Sequence, residues 1–142
     1  MKKRVASLIL LFALCLSFNC NTASATELSP YSSKIIDHCS VDLFAGSGAG
    51  EIQFSFDLAT IEKTDSLGIA SIKIYTSNTT YVTTIAGTPS NGLIRFNANR
   101  YVSTYTYTGI SGMSYYAEVT VAAAAGSLYD SRTITTNTVK AP

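Results

Sequence analysis

The segment 51–58 constrains the fold of this chain more than any other, because apolar and polar side chains alternate along it without a break. The apolar members are Ile52, Phe54, Phe56 and Leu58. A period of two matches a β-strand with one buried face and one solvent-facing face, whereas a helix would need a period of 3.6. The segment therefore predicts a half-buried β-strand.

Short runs of the same kind recur along the rest of the chain. They lie at residues 37–45, 70–75, 81–85, 93–98, 100–107, 115–123 and 128–139. The runs at 93–98 and 100–107 indicate either two strands or one long strand bent around residues 97–99. Glycine clusters at 46–50 and 87–92 supply turns, and the polar stretch 60–67 reads as a loop. Seven or eight short strands predict an all-β, antiparallel β-sandwich, with a small barrel as the alternative.

The first 25 residues have the order of a secretory signal peptide. Basic residues at positions 2–4 precede an apolar run at 5–18, and small residues follow at 23–25. The apolar run is about 14 residues long, shorter than the roughly 20 that a helix needs to cross a bilayer. We therefore expect cleavage between Ala25 and Thr26, secretion to the extracellular space, and no stable membrane insertion after cleavage.

Cleavage would leave one domain's worth of chain with little net charge. Taking 25 residues from 142 leaves 117, which we divide into a flexible lead-in at 26–36 and a β-sandwich domain at 37–142. Because all three lost charges are basic, 7 basic and 9 acidic side chains remain, a net charge of −2. Such a domain lacks the basic surface that nucleic acid or an anionic membrane requires.

Cysteine and histidine offer little chemistry in the processed chain. Cys39 is its one cysteine, so no internal disulfide can form, and an intermolecular disulfide through Cys39 is left open. His38 is its one histidine, but adjacent strand residues point to opposite faces, which argues against a Cys–His pair. The alternation instead predicts that Cys39 is buried with Val41 and Leu43 and that His38 is solvated.

The acidic residues form no recognisable site. Asp57, Glu62 and Asp65 match no ordered calcium loop. Glu51 and Asp57 would lie roughly 20 Å apart along one strand, too far for a glycosidase pair. A cross-strand pair of Glu51 with Glu118 is left open. We predict no catalytic, cofactor-binding or metal-binding residues, no cofactor, and no enzymatic activity.

The nine tyrosines are the remaining candidates for function. Residues 101, 105 and 107 share one strand face, which is either core or a binding surface. Five more are expected to be partly exposed: Tyr31, Tyr75, Tyr81, Tyr116 and Tyr129. An outward tyrosine can stack on a sugar or anchor a protein, because its ring is apolar and its hydroxyl is polar. It can equally be a good strand former that packs against its neighbours.

Residues 109–121 carry a resemblance to a known architecture. Two glycines precede Tyr115, which opens an alternating strand with Val119 and Val121. This resembles the approach to strand F of fibronectin type III and immunoglobulin-like domains, in which a corner tyrosine hydrogen-bonds back to the backbone. The chain departs from that pattern in having no tryptophan.

The chain also resembles a family of small exported proteins of Gram-positive bacteria, a domain of unknown function. The resembling stretches are 27–32, 72–75 and 112–121. The resemblance implies export and a sandwich fold but no catalytic mechanism.

These observations together lead to an expected function. We expect a secreted, non-catalytic binding module for an extracellular protein or glycan. The alternatives are a structural protein that assembles through edge strands and an enzyme without a recognisable motif.

Overall fold

The computed structural model describes residues 35–142, and all its regular structure there is antiparallel β-strand. The strands are β1 (Ile36–Ala45), β2 (Glu51–Thr76), β3 (Tyr81–Ala86), β4 (Ile94–Thr108), β5 (Ser114–Ala125), β6 (Leu128–Thr135) and β7 (Val139–Lys140). The predicted all-β, antiparallel class is confirmed. The predicted signal peptide and most of the predicted lead-in lie outside the described residues.

Strand β2 organises the molecule because it is 26 residues long and pairs with four other strands. Its first part, Glu51 to Ala59, lies between β1 and β4. Its last part, from Ser71 onwards, lies between β5 and β3. Strands β6 and β7 then pair with the far side of β5. The hydrogen bonds thus join seven strands into one curled sheet.

The prediction of a loop at 60–67 is wrong, since β2 runs through it. Residues 60–63 form a bulge there: β2 pairs with β4 at Ala59 and again at Thr64, and the β4 partners are Arg100 and Ala98. The Thr64 hydroxyl is buried and donates to the carbonyl of Ala98 at 2.7 Å. Threonine hydroxyls thus satisfy backbone carbonyls that a regular ladder would pair, so a polar stretch stays within a strand.

Of the two alternatives for the runs at 93–98 and 100–107, the structure has the single bent strand, which is β4. Asn97 adopts a left-handed backbone conformation with φ of 55°. Asparagine tolerates this conformation better than most residues do. The bend lets one half of β4 follow each half of β2.

The alternating segment forms the centre of the core. Ile52, Phe54, Phe56 and Leu58 are each at most 1% exposed. The second half of β2 has a register shift between Ile69 and Ser71. Because of that shift, Ile69 is buried at this point, whereas Ala70, which strict alternation with Ile72 and Ile74 would bury, is half-buried.

Strand β1 is attached to the rest of the sheet on both sides, by a backbone ladder to β2 and by side chains from β6 and beyond. The Asp130 carboxylate accepts hydrogen bonds from the amides of Ile35 at 3.1 Å and Ile36 at 3.2 Å. The Asn137 amide accepts from Leu43 N–H at 3.0 Å and donates to its carbonyl at 2.8 Å. These side chains form hydrogen bonds with backbone groups of β1 that a neighbouring strand would otherwise pair.

The corner before β5 contains the contact that the resemblance implied for Tyr115. Its hydroxyl accepts a hydrogen bond from the amide of Ile110 at 2.8 Å, and the residue is 2% exposed. A Cβ atom on Gly109 would lie 2.6 Å from that hydroxyl, so a side chain there would displace the tyrosine. The corner tyrosine and the glycine beside it therefore form one packed unit.

Candidate functional site

Three of the five tyrosines that were expected to be exposed lie side by side on the outer face of β3, β2 and β5. Tyr75 is the central one, and its register partners are Tyr81 on β3 and Tyr116 on β5. The rings of Tyr75 and Tyr116 are stacked with centroids 5.3 Å apart. The ring of Tyr81 meets that of Tyr75 edge-on at 5.9 Å. We call these three residues the tyrosine cluster.

The cluster depends on an irregularity in the hairpin between β2 and β3. Ile74 pairs with Thr83, but the next residue, Tyr75, pairs with Tyr81, so Val82 is an extra residue. An extra residue changes which side chains face outward beyond the bulge. Without it, the register partner of Tyr75 on β3 would be Val82 in place of Tyr81.

Charged and hydroxyl side chains border the cluster. Lys73 pairs with Glu118 in the row next to the tyrosines. The Tyr75 hydroxyl donates to Glu118 Oε2 at 3.3 Å, and the hydroxyls of Tyr81 and Thr84 are 3.0 Å apart. Burial of the ring, followed by the Glu118 charge and its hydrogen bond, raises the pKa of Tyr75 above its usual value. The hydroxyl therefore stays protonated at neutral pH and can act as a donor.

The cluster is amphipathic and still accessible. Tyr81 is 57% exposed, and Tyr75 and Tyr116 are half-buried. Ring surface is thus available beside a lysine ammonium, a glutamate carboxylate and several hydroxyls. This combination suits contact with a partner that presents both apolar and hydrogen-bonding groups. The sequence predicted the exposure of these tyrosines; the structure adds their grouping and the bordering Lys73 and Glu118.

The tyrosines of β4 have a different position. Tyr101, Tyr105 and Tyr107 are half-buried and pack against the core cluster. Tyr101 meets Phe56 edge-on at 5.5 Å, and Tyr107 meets Tyr115 edge-on at 6.3 Å. This face therefore belongs to the margin of the core. Tyr129 is 69% exposed and lies apart on β6, and Tyr31 lies outside the described residues.

The structure does not bring His38 and Cys39 together as a catalytic pair. His38 is exposed, and Cys39 packs half-buried against the core beside Val41. The Cys39 thiol lies 3.9 Å from a guanidinium nitrogen of Arg132. The prediction of a fully buried thiol is therefore only partly correct.

Three of the acidic residues considered above, Asp57, Asp65 and Glu51, each have a separate partner. Asp57 forms a bidentate ion pair with Arg100, whose Nη2 donates to Oδ2 at 2.7 Å and whose Nε donates to Oδ1 at 3.1 Å. This ion pair lowers the pKa of Asp57. Asp65 accepts from the amide of Gly126 at 2.7 Å. Glu51, at the start of β2, accepts from the amide of Gly48. Glu118 lies on β5 opposite Lys73, near the other end of β2, so the two glutamates do not form a pair. Over residues 35–142, no three His, Cys, Asp or Glu side chains come close enough to hold a metal ion.

A cavity of about 260 Å³ lies beside the β2 bulge. Apolar side chains line it, including Ile35, Ile61 and Leu128, together with the charged Glu62 and Lys63. The carboxylate and the ammonium are both exposed. The cavity does not adjoin the tyrosine cluster, whose residues are absent from its lining.

Comparisons of the chain with protein-family models, curated proteins and solved structures found no match. Within the described part of the chain, there is no helix with the length and apolar character needed to cross a membrane.

Proposed function

We propose that this chain is a secreted, non-catalytic binding module that contacts an extracellular protein or glycan through the tyrosine cluster. The observation that carries the proposal is the stacking of Tyr75 and Tyr116, with Tyr81 beside them, on an outer sheet face. These rings are not needed to fill the core, which is formed by the opposite faces of the same strands.

Physical chemistry supports a contact surface at this position. Tyrosine is enriched at protein interfaces because it offers a large, rigid ring at a small cost in conformational entropy. The neighbouring rings limit the freedom of each side chain before any partner arrives. Lys73 and Glu118 add one charge of each sign, which favours a partner with polar groups over a purely apolar surface.

We also propose that the curled sheet is a β-sandwich related to fibronectin type III and immunoglobulin-like domains. Two observations support this: the hydrogen bond of Tyr115 to the backbone, and one core cluster that includes residues from β1, β2 and β5. From the sequence resemblance at residues 27–32, 72–75 and 112–121, we also propose that the chain belongs to the family of small exported proteins described above.

The export part of the proposal has a direct test. Expression of the full chain in a Gram-positive host, followed by N-terminal sequencing of the protein in the medium, should give a chain that starts at Thr26. Protein that stays in the cell with residues 1–25 attached would contradict it.

The binding part is tested on an array of defined extracellular glycans and proteins. The wild-type chain should bind a subset of them saturably. A Tyr81→Ala/Tyr116→Ala double variant should lose that binding, because it removes two of the three rings. Tyr129→Ala is the control, since it removes an exposed tyrosine that lies outside the cluster. An array without saturable binding, or equal loss in both variants, would contradict the assignment of the site.

A further inference from the structure

One long edge of the sheet has no partner in the described part of the chain. Residues 101–108 of β4 pair with β2 on one side only, and within residues 35–142 no other backbone group bonds to them. We call this stretch the β4 edge. An edge of this kind presents a row of N–H and C=O groups that can accept another extended strand.

Proteins usually protect such an edge. Among residues 35–142, protecting contacts are present at β1 but not at β4. Side chains of Asp130, Arg132 and Asn137 bond to the backbone of β1 on the side away from β2. The β4 edge contains no proline, glycine or charged residue. The irregularities of β4, at Asn97 and in the register between Ala98 and Arg100, lie outside it. None of the usual features that block strand addition is present there.

The composition of the β4 edge favours pairing with a copy of itself. Its outer-facing side chains are all exposed: Val102, Thr104, Thr106 and Thr108. Threonine and valine suit strands and form favourable cross-strand pairs with one another. The half-buried tyrosines on the opposite face would lose their remaining exposure beside a second copy of the same row.

Charge also suits a second copy. Arg100 is the charged residue that precedes the β4 edge in the chain, and it forms an ion pair with Asp57 of β2 at 2.7 Å. When two identical strands pair antiparallel about a two-fold axis, their corresponding ends lie far apart. The two Arg100 side chains would therefore sit at opposite ends of the new ladder, with no like charges facing each other.

We propose that two copies of this chain pair antiparallel through the β4 edge, joining their sheets in a two-fold dimer. The dimer does not depend on the proposed function of the tyrosine cluster. It would leave the cluster uncovered, since the cluster lies on the outer face of β3, β2 and β5. Each dimer would then present two clusters, which increases the avidity for a multivalent surface.

The test is sedimentation of the purified, host-processed chain across about 1 μM to 1 mM, a range that covers weak and moderate dimers. Wild type should shift from monomer to dimer. A Thr104→Lys/Thr106→Lys variant should dimerise about tenfold more weakly or not at all, because like charges on paired strands repel. Thr133→Lys, on the exposed face of β6, is the matched control and should leave the dimer intact.

A second pair of variants separates charge repulsion from misfolding. Thr104→Glu/Thr106→Glu should also be monomeric alone, whereas its mixture with the lysine variant should restore a dimer through opposite charges. A wild-type monomer throughout the range would overturn the proposal. So would a dimer that withstands the lysine substitutions, or an edge that binds an added β-strand peptide but not a second copy.

Discussion

Two groups of tyrosines show how strand geometry gives the same side chain two roles. Tyr101, Tyr105 and Tyr107 point inward from β4 and complete the margin of the core, whereas the tyrosine cluster points outward from β3, β2 and β5. Members of both groups contact other aromatic rings: Tyr101 meets Phe56, and Tyr75 stacks on Tyr116. What differs is the face of the strand on which each lies, because successive side chains alternate between faces. Composition alone does not separate them.

The largest loss of stability is expected at Tyr115, which is more deeply buried than either group of tyrosines. Tyr115→Ala should lower the free energy of unfolding by about 3–5 kcal/mol, because it removes a fully buried ring and leaves a cavity. Tyr115→Phe should cost only about 1–2 kcal/mol, since it removes the acceptor for the Ile110 amide but keeps the ring. Denaturant unfolding measures both values. Equal losses in the two variants would mean that packing of the ring contributes little.

A smaller effect is expected for the inward group. Tyr101→Ala should cost about 1–2 kcal/mol, less than a fully buried ring, because the side chain is half-buried against Phe56. Binding to the array should be unchanged at protein concentrations and temperatures where the variant is folded. Loss of binding with a preserved fold would move the site from the cluster to the β4 face.

The outward group should show the reverse pattern. Tyr81→Ala should change the free energy of unfolding by no more than about 0.5 kcal/mol, since most of the side chain is already exposed. Thermal unfolding in the absence of ligand provides the measurement. A cost as large as that of Tyr101→Ala would show that the cluster is part of the structural core.

The smallest expected effect is on the pKa values of one tyrosine from each group, because these values are raised by different neighbours. The pKa of Tyr107 is raised by burial and then by Tyr115, whereas that of Tyr75 is raised by burial and then by Glu118. Glu118→Gln should therefore lower the pKa of Tyr75 towards the usual value and leave Tyr107 unchanged. Ultraviolet titration of the tyrosinate band, with Tyr75→Phe as reference, measures this.

The raised pKa of Tyr75 also determines how the free energy of unfolding changes with pH. A tyrosine whose pKa is raised in the folded state favours folding at pH values below its unfolded pKa. That contribution is lost as the pH rises through the folded pKa. Wild type should thus lose more stability than Glu118→Gln on moving into this alkaline range. The opposite order would contradict the role of Glu118.

The sequence predicted the parts of this molecule that depend on alternation. The burial of Ile52, Phe54, Phe56 and Leu58 follows from a period of two and is confirmed. The expected exposure of Tyr81 is also confirmed. The grouping of the tyrosines could not be predicted, because it depends on a bulge at Val82 and on the register of β2 against β5. Long-range register is set by packing, and a one-residue slip reverses every face.

The misread loop at 60–67 has a related cause. Its polar residues are typical of a turn, but Thr64 is buried and uses its hydroxyl to satisfy a carbonyl of β4. A local pattern does not reveal that a distant strand provides the partner. The same applies to β1, whose protection depends on Asp130 and Asn137, more than 90 residues further along the chain.

The most direct test of the central claim is to record which tyrosine rings respond to a bound ligand. Ring-selective NMR of the wild-type chain, titrated with a ligand that the array identifies, resolves the individual tyrosines. We expect saturable shifts at Tyr75, Tyr81 and Tyr116, with Tyr129 and the β4 tyrosines unchanged. Shifts confined to Tyr101, Tyr105 and Tyr107, or to Tyr129, would contradict it.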